Sequence, residues 1–354
     1  MGFLENPQGA SVIAGNRKEA STAKASIKID PRKRIQTVRV NQSSPYHLSD
    51  EQIEFFDENG YLILRGWIPQ PLLSRLQEAG QGWIERGWTQ FESKSEHTSK
   101  ARWDADWAFA EREGNTVMWR VNYLHDKGFA ASLELLGSPQ MLAVAESLCG
   151  KNFVPTYESM VFKQEGDGKE VVWHQDAIHP RNYRIFNLDV YLDSSRDGAG
   201  ALLVVPKSQT TRQEFCDLAD EFGWAVPDAV VVEMEPGDVL LHDVMVAHGS
   251  PATHGAALRR TLYYEFRPIE QILNEGPWER DWIDKRIRLV PLALRAFERQ
   301  FPDDAGFDWN ISENLRPHIG SDDAAELRIA HTVHTESAFC SAGDVIPGKV
   351  PKQP

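Results

Sequence analysis

The first part of the chain has hydrophobic residues at helical spacing, interrupted by one short strand-like run. Ser49 and Gln52 form a capping-box pattern, and an apolar helical face follows them, so a helix begins there. Asn59-Gly60 ends this helix, because glycine adopts the backbone conformation that follows a helix. The same reading predicts a strand at residues 61–64 and helices at about 72–85 and 138–149.

The middle of the chain changes to short apolar runs separated by Gly, Pro and Asp. Seven candidate strands occupy residues 157–163, 171–176, 186–192, 201–205, 229–234, 239–246 and 259–266. Helices followed by many short strands predict a mainly β fold with helical additions, namely a double-stranded β-helix (a jelly roll, cupin-like) at about residues 153–268. Helical spacing returns at residues 282–301, so N-terminal and C-terminal helices would buttress the β core.

The two ends of the chain differ from this core. Residues 1–44 carry eight Lys or Arg against three acidic residues, which predicts a flexible basic arm. Such an arm could also target an organelle, or wrap a partner subunit in a homo-oligomer. Residues 317–354 are expected to form a C-terminal tail or a lid, which leaves residues 45–316 as a single domain.

Composition and charge narrow the possible partners. The chain has 354 residues, of which 41% are hydrophobic and 25% charged, as in ordinary soluble proteins. A net charge of −14 argues against nucleic acid as a partner, and no apolar run approaches the length of a membrane span. Three widely spaced cysteines argue against a disulfide framework and a Cys-rich zinc site. These features predict a cytoplasmic protein that acts on a small molecule.

A pair of candidate metal ligands lies in the second predicted strand of the β core. His174 and Asp176 are two residues apart, so on a strand both side chains point to the same face while Gln175 points away. One further histidine at that point would complete a facial triad of two His and one carboxylate, which is typical of non-haem Fe(II) oxygenases. His248 follows a hydrophobic run further along the chain and is the candidate for this third ligand.

Several motifs together resemble the phytanoyl-CoA dioxygenase family of Fe(II)- and 2-oxoglutarate-dependent oxygenases. They are Trp-His-Gln-Asp at 173–176, Gly-Ala-Leu-Leu-Val-Val-Pro at 200–206, Pro-Gly-Asp at 236–238, and His-Gly-Ser at 248–250 with Arg259 eleven residues beyond the histidine. The entry segment at residues 48–66 is also similar. The resemblance implies that His174, Asp176 and His248 bind iron. It further implies that Arg259, helped by Ser250, binds the distal carboxylate of 2-oxoglutarate.

The resemblance also implies an activity. Such enzymes use Fe(II), 2-oxoglutarate and O₂ to oxidise, in most cases to hydroxylate, an unactivated C–H bond of a small organic molecule, with succinate and CO₂ as co-products. The substrate could be an acyl-CoA, an amino acid or a secondary metabolite. The alternative is a jelly-roll metal-dependent isomerase, or another non-oxygenase, that does not use 2-oxoglutarate.

Three features of the sequence bear on how far the family pattern carries over. Arg260 could bind a carboxylate as Arg259 could, but strand alternation lets only one of them face the pocket, and the family spacing favours Arg259. This chain has Asp189 where many members have Trp, and Lys207-Ser208-Gln209 where they commonly have Gly-Ser-His after the proline. These differences affect inferences about the substrate and about further contacts to the co-substrate, but not about the metal.

Other residues near the motifs are candidate pocket groups. His179, Trp173 and Arg120 are predicted to contact the substrate, and the tryptophan-rich stretch from residue 83 to 119 either packs in the core or forms a wall of the pocket. Lys163 is expected to be a solvated surface lysine. His242 lies six residues before His248, and a continuous strand would place it about 20 Å away, too far to approach the same ion.

Overall fold

The computed structural model describes residues 46–93, 105–112, 114–164, 169–253, 258–327 and 338–339. The predicted basic arm, residues 1–44, lies outside them. The helices are α1 (Asp50–Asn59), α2 (Gln70–Glu92), α3 (Ala131–Leu136), α4 (Pro139–Cys149), α5 (Phe215–Phe222), α6 (Ile269–Glu275), α7 (Arg280–Arg286), α8 (Leu289–Gln300) and α9 (Asp323–Leu327). Among the described residues, no helix has the length and apolar character needed to cross a membrane.

Twelve strands within the described residues form two antiparallel sheets. The strands are β1 (Tyr61–Leu64), β2 (Trp107–Arg112), β3 (Asn115–Asn122), β4 (Phe153–Lys163), β5 (Val171–Gln175), β6 (Phe186–Tyr191), β7 (Leu202–Val205), β8 (Val230–Val232), β9 (Val239–Asp243), β10 (Ala247–Ser250), β11 (Arg259–Pro268) and β12 (Ala338–Phe339). The major sheet has the order β1-β9-β6-β11-β4-β3-β2, and the minor sheet has the order β12-β5-β10-β7-β8. This mainly β architecture with added helices confirms the predicted jelly roll.

The two faces of the major sheet differ in chemistry. One face is apolar and packs against the helices in the main hydrophobic core, which includes Leu188, Val190, Leu241, Leu262 and Phe266. The alternate residues of the same strands face the minor sheet, and many of these are polar, including Asn187, Asp189, His242 and Tyr263. Because side chains alternate along a strand, the helices stabilise one face and leave the inner face available for a polar site.

Helices α1 and α4 begin and end as their sequence signals predict, whereas α2 extends to Glu92, beyond the predicted end at about residue 85. The Ser49 side chain accepts from the Gln52 N–H, the Gln52 side chain accepts from the Ser49 N–H, and Gly60 ends α1 with φ of 78°. Ser138 caps α4 through its side chain, which accepts from the Met141 N–H. The tryptophan-rich stretch contributes Trp83 and Trp119 as buried residues, in separate hydrophobic clusters.

A buried ionic cluster ties the major sheet to the C-terminal helices. Glu158 of β4 contacts both His125 and Arg286, and all three are less than 5% exposed. Arg286 also donates to the Pro155 carbonyl at 2.6 Å. Burial raises the pKa of Glu158, but Arg286 and His125 outweigh it and lower that pKa to about 2.

The prediction of one continuous strand at 239–246 is wrong, because a turn at residues 244–246 interrupts it. Asp243 ends β9, and its side chain accepts the Met245 N–H at 2.8 Å while its carbonyl accepts the Val246 N–H at 2.9 Å. Arg181 contacts the same carboxylate at 2.8 Å. The turn moves the chain from β9 in the major sheet to β10 in the minor sheet.

Part of the predicted C-terminal tail packs against the domain. Asp323 at the start of α9 contacts Arg295 and Arg299 of α8. Further on, β12 pairs with the free side of β5, with Phe339 opposite His174 in register. The backbone beside His174 is therefore covered by the C-terminal segment of the chain.

Candidate metal centre

His174, Asp176 and His248 come together between the sheets. Strands β5 and β10 are antiparallel neighbours, with His248 directly opposite His174. Their ring centroids are 4.1 Å apart, and one ligand atom from each of the three side chains lies within 4.8 Å of the others. Residues that are 74 positions apart in the sequence therefore meet through the pairing of two strands.

Backbone carbonyls determine which nitrogen each imidazole presents. His174 Nδ1 lies 2.8 Å from the Val172 carbonyl, and His248 Nδ1 lies 2.9 Å from the Val246 carbonyl. A carbonyl can only accept, so Nδ1 carries the proton in both rings and Nε2 presents its lone pair. This is the arrangement by which ligating histidines are usually oriented toward a metal ion.

Asp176 completes the donor set. Its Oδ1 lies 3.3 Å from His174 Nε2, and its Oδ2 lies 3.7 Å from His248 Nε2. Burial raises the pKa of Asp176, but the two imidazoles outweigh it and hold that pKa well below its usual range. Burial lowers the pKa of His248 to about 3, so its ring is neutral near pH 7.

These residues fit a divalent iron ion. An ionised carboxylate and a neutral imidazole are the protonation states that bind metals, and two His with one carboxylate on one side leave adjacent coordination positions open. The side chains of Asp176 and His174 are 29% and 16% exposed, whereas that of His248 is 5% exposed. The accessible side of the triad is therefore the side formed by β5.

Two buried basic residues lie beside the triad. Arg259 begins β11 opposite Lys163 of β4, and they are 7% and 4% exposed. Lys163 Nζ donates to Ser250 Oγ at 3.0 Å and to the Pro251 carbonyl at 2.8 Å, and Arg259 donates to the Gly200 carbonyl. Among the described residues, neither of these two side chains forms a salt bridge with a carboxylate, so this end of the pocket suits an anion.

Lys163 is buried, contrary to the prediction that it lies on the surface. It was expected on the solvated surface, yet burial, with Arg259 next in importance, lowers its pKa to about 6. Strand alternation could have identified it, since Met160 and Phe162 of the same strand are fully buried in the main core and Lys163 points to the opposite face from Phe162.

Arg259 and Arg260 point to opposite faces, as alternation predicts. Arg260 forms a two-pronged contact with Asp193, with Nε to Oδ2 at 2.8 Å and Nη2 to Oδ1 at 2.9 Å. It also donates to the Gln77 carbonyl of α2 at 2.8 Å. Arg260 is therefore occupied in joining the sheet to a helix, and Arg259 is the arginine beside the triad.

His242 lies against the triad, and its predicted distance of about 20 Å is wrong. Its ring centroid is 4.6 Å from that of His248, and its Nδ1 is 3.9 Å from Asp176 Oδ2. Its Nε2 is 3.2 Å from Asp189 Oδ2, and both residues are fully buried. The turn after Asp243 takes the chain into the minor sheet, where His248 lies across from His242, and the prediction of a single strand missed this turn. Burial lowers the pKa of His242, but the carboxylates of Asp189 and Asp176 outweigh this effect, so the pKa is raised overall.

Trp173, predicted to contact the substrate, faces away from the site. Its Nε1 donates to the Gly223 carbonyl at 2.9 Å, and its ring centroid is 5.3 Å from that of Trp224. It is 2% exposed, in the hydrophobic cluster beneath α5. The reason is strand alternation, since a residue adjacent to His174 must point to the opposite face.

Arg120 and His179 are both half-buried. Arg120 Nη2 donates to Ser159 Oγ at 3.3 Å, and its guanidinium lies 5.4 Å from the centre of the Tyr157 ring. His179 Nδ1 accepts the Arg181 N–H at 3.2 Å, and burial lowers the pKa of His179 to about 4. Tyr263, on the inner face of β11 four residues beyond Arg259, is also half-buried.

Two antiparallel sheets enclosing a His-Asp-His triad define the class of double-stranded β-helix oxygenases. The family model described as Phytanoyl-CoA dioxygenase (PhyH) matches residues 56–261, which is more than half of the chain. The chain belongs to this family, and it is a 2-oxoglutarate-dependent non-haem iron dioxygenase.

Curated relatives and solved structures agree with this membership. The chain is 25% identical to a 2-aminoethylphosphonate dioxygenase from an uncultured bacterium, over 76% of this chain and 96% of the relative. It is 25% identical to a probable alpha-ketoglutarate-dependent hypophosphite dioxygenase of Stutzerimonas stutzeri, over 52% of this chain and 71% of that protein. The structure of AviO1 from Streptomyces viridochromogenes is similar, with a TM-score of 0.52 and 25% identity over 65% of this chain and 97% of AviO1. Iron-bound EctD from S. alaskensis shares the fold, with a TM-score of 0.51 and 19% identity over 70% of this chain and 88% of EctD.

Proposed function

We propose that this protein oxidises, by hydroxylation, an unactivated C–H bond of a small organic molecule, and that it converts 2-oxoglutarate and O₂ to succinate and CO₂ in the process. The observation that carries the proposal is the position of two buried basic residues, Arg259 and Lys163, beside a metal-binding triad. 2-Oxoglutarate would chelate the metal at one end and carries a carboxylate at the other end. The triad would hold the metal, and Arg259 and Lys163 would bind that carboxylate.

His174, Asp176 and His248 would hold Fe(II) through two Nε2 atoms and one carboxylate oxygen. Bound iron would supply the activation of O₂ and of the substrate C–H bond. Arg259 would donate a two-pronged hydrogen bond to the distal carboxylate of 2-oxoglutarate, because its planar guanidinium matches a carboxylate. Ser250 and Lys163, already in contact at 3.0 Å, would complete that end of the pocket.

The substrate is proposed to be a small polar molecule. Two curated relatives are named for 2-aminoethylphosphonate and hypophosphite, both small and polar. In this chain Arg120, His179 and Tyr263 are half-buried, and they would supply polar contacts to such a substrate. A few convergent polar groups in a pocket determine the orientation of a small ligand.

The test is spectroscopic first and catalytic second. Under anaerobic conditions, 2-oxoglutarate should change the visible absorption of the Fe(II)-loaded protein, and exposure to O₂ should then yield succinate. Asp176→Ala should lose iron and both readouts. A jelly-roll isomerase would bind the metal without responding to 2-oxoglutarate, and that result would overturn the proposal.

A further inference from the structure

We infer that Asp189 and His242 form a positioning pair that holds Asp176 and His248 in a metal-ready arrangement before the ion binds. The inference rests on the proposed role of the triad, and it assigns a function to two residues that would not themselves bind the metal. The pair sits on the inner face of the major sheet, whereas His174 and His248 belong to the minor sheet. It therefore joins the two sheets at the site.

His242 contacts two members of the triad at once. Its ring packs edge-on against His248, with centroids 4.6 Å apart and an interplanar angle of 62°. Its Nδ1 lies 3.9 Å from Asp176 Oδ2, on the buried side of a carboxylate whose side chain is 29% exposed. His242 thus fills the closed side of the site and leaves the accessible side to iron and substrate.

Asp189 determines where the His242 ring can lie. Its Oδ2 is 3.2 Å from His242 Nε2, and both side chains are 0% exposed. Neither oxygen of Asp189 has a hydrogen-bonding partner within the described part of the chain, so its contact with His242 is an ion-pair contact rather than a well-directed hydrogen bond. A buried carboxylate is costly without a partner, so Asp189 and His242 must stay together, and rotation of the ring is restricted.

The placement of the pair points to the metal site rather than to core packing alone. The neighbouring inner-face residue Asn187, directly opposite His242 in register, donates to Asp176 Oδ2 at 2.7 Å. One cross-strand row of the major sheet therefore contacts the triad through two side chains. Groups that orient metal ligands in this way commonly change metal affinity by about 10- to 100-fold when they are removed.

The experiment uses a double variant in which both members of the pair become apolar, Asp189→Leu with His242→Leu. Replacing a buried polar pair together is better tolerated than removing one partner. The Kd for Fe(II), titrated anaerobically, should rise about 10- to 100-fold. The absorption spectrum of the Co(II)-loaded protein should also change, because loss of the pair alters the geometry of the ligands. A pair with a purely structural role would leave that spectrum unaltered. If the double variant does not fold, the same measurements apply to Asp189→Asn, which keeps the shape of the side chain.

A matched control separates positioning from stability. Glu134 is 2% exposed and forms a two-pronged ion pair with Arg75 at 2.6 Å among the outer helices. Glu134→Leu with Arg75→Leu should change the melting temperature of the metal-free protein and leave the Fe(II) Kd unchanged. A folded pair variant with the native Kd and Co(II) spectrum would overturn the inference. Retention of iron by Asp176→Ala would instead refute the proposed triad.

Discussion

Asn187 donates a hydrogen bond of 2.7 Å to Asp176 Oδ2 from the strand of the major sheet that faces the triad. Asn187 is 6% exposed and contributes no metal ligand. Its amide can satisfy one carboxylate oxygen and leave Oδ1, which lies 3.3 Å from His174 Nε2, directed toward the metal position. One face of a sheet thus orients a ligand that the other sheet supplies.

Asn187→Leu should weaken Fe(II) binding by about 10- to 100-fold, because the carboxylate loses the donor that orients it. Anaerobic Fe(II) titration measures the effect. Asn152→Leu is the control, since Asn152 donates to Glu270 at 2.6 Å and accepts from the Ser312 N–H, away from the triad. Equal Fe(II) affinity in the two variants would contradict the assigned role of Asn187.

Arg259→Ala should raise the 2-oxoglutarate concentration needed for half-maximal succinate formation by at least about tenfold, because a charge-assisted carboxylate contact contributes more than about 1.5 kcal/mol. Iron binding should be unaffected. The neighbouring Arg260→Ala provides the comparison, since it removes the Asp193 contact on the opposite face of the strand. Arg260→Ala should lower the melting temperature and leave the 2-oxoglutarate requirement near native, and the reverse pattern would show that the wrong arginine is assigned.

Binding of 2-oxoglutarate should take up protons at about pH 8. Burial lowers the pKa of Lys163 to about 6, so the free protein holds this amine mostly neutral at that pH. An adjacent carboxylate favours the charged form, so the pKa rises on binding and a proton enters, up to about one per ligand. Calorimetric titrations in buffers of different ionisation enthalpy measure this uptake. Lys163→Met should abolish it, and a binding heat independent of the buffer in the native protein would count against the prediction.

Arg286→Met should destabilise the fold by about 3–5 kcal/mol, because it leaves the buried Glu158 without its guanidinium partner. The native pKa of Glu158 is about 2, below its ordinary value of 4.5. Its contribution to stability is therefore complete above about pH 4.5 and is lost as the pH falls toward 2. Urea unfolding at several pH values measures both effects.

The control for this cluster is the exposed pair Arg280 and Asp284, whose side chains are 44% and 52% exposed. Arg280→Met should cost less than about 1 kcal/mol, because exposed ion pairs contribute little. Similar losses in the Arg280 and Arg286 variants would show that burial does not determine the importance of the Glu158 cluster.

Local patterns were sufficient for much of the fold. The caps at Ser49 and Ser138, the alternation in β4, β6 and β11 and the turn residues between strands are short-range features, and each predicted element near them is present. The same alternation placed His174 and Asp176 on one face. Alternation should also have excluded Trp173 as a substrate contact, because a strand that directs His174 inward directs the adjacent residue outward.

The sequence by itself determined the type of elements, the spacing of the metal-binding motif and the resemblance to a family, because these depend on neighbouring residues. Only the tertiary structure decided which distant residues meet. The turn at Asp243 brought His242 to the triad, and the pairing of β4 with β11 placed Lys163 beside Arg259. Burial also changed the protonation of Lys163. This lysine would be charged in water, but between the sheets its pKa is about 6. The pairing of distant strands and the exclusion of solvent are properties of the folded chain, so short-range sequence patterns do not predict them.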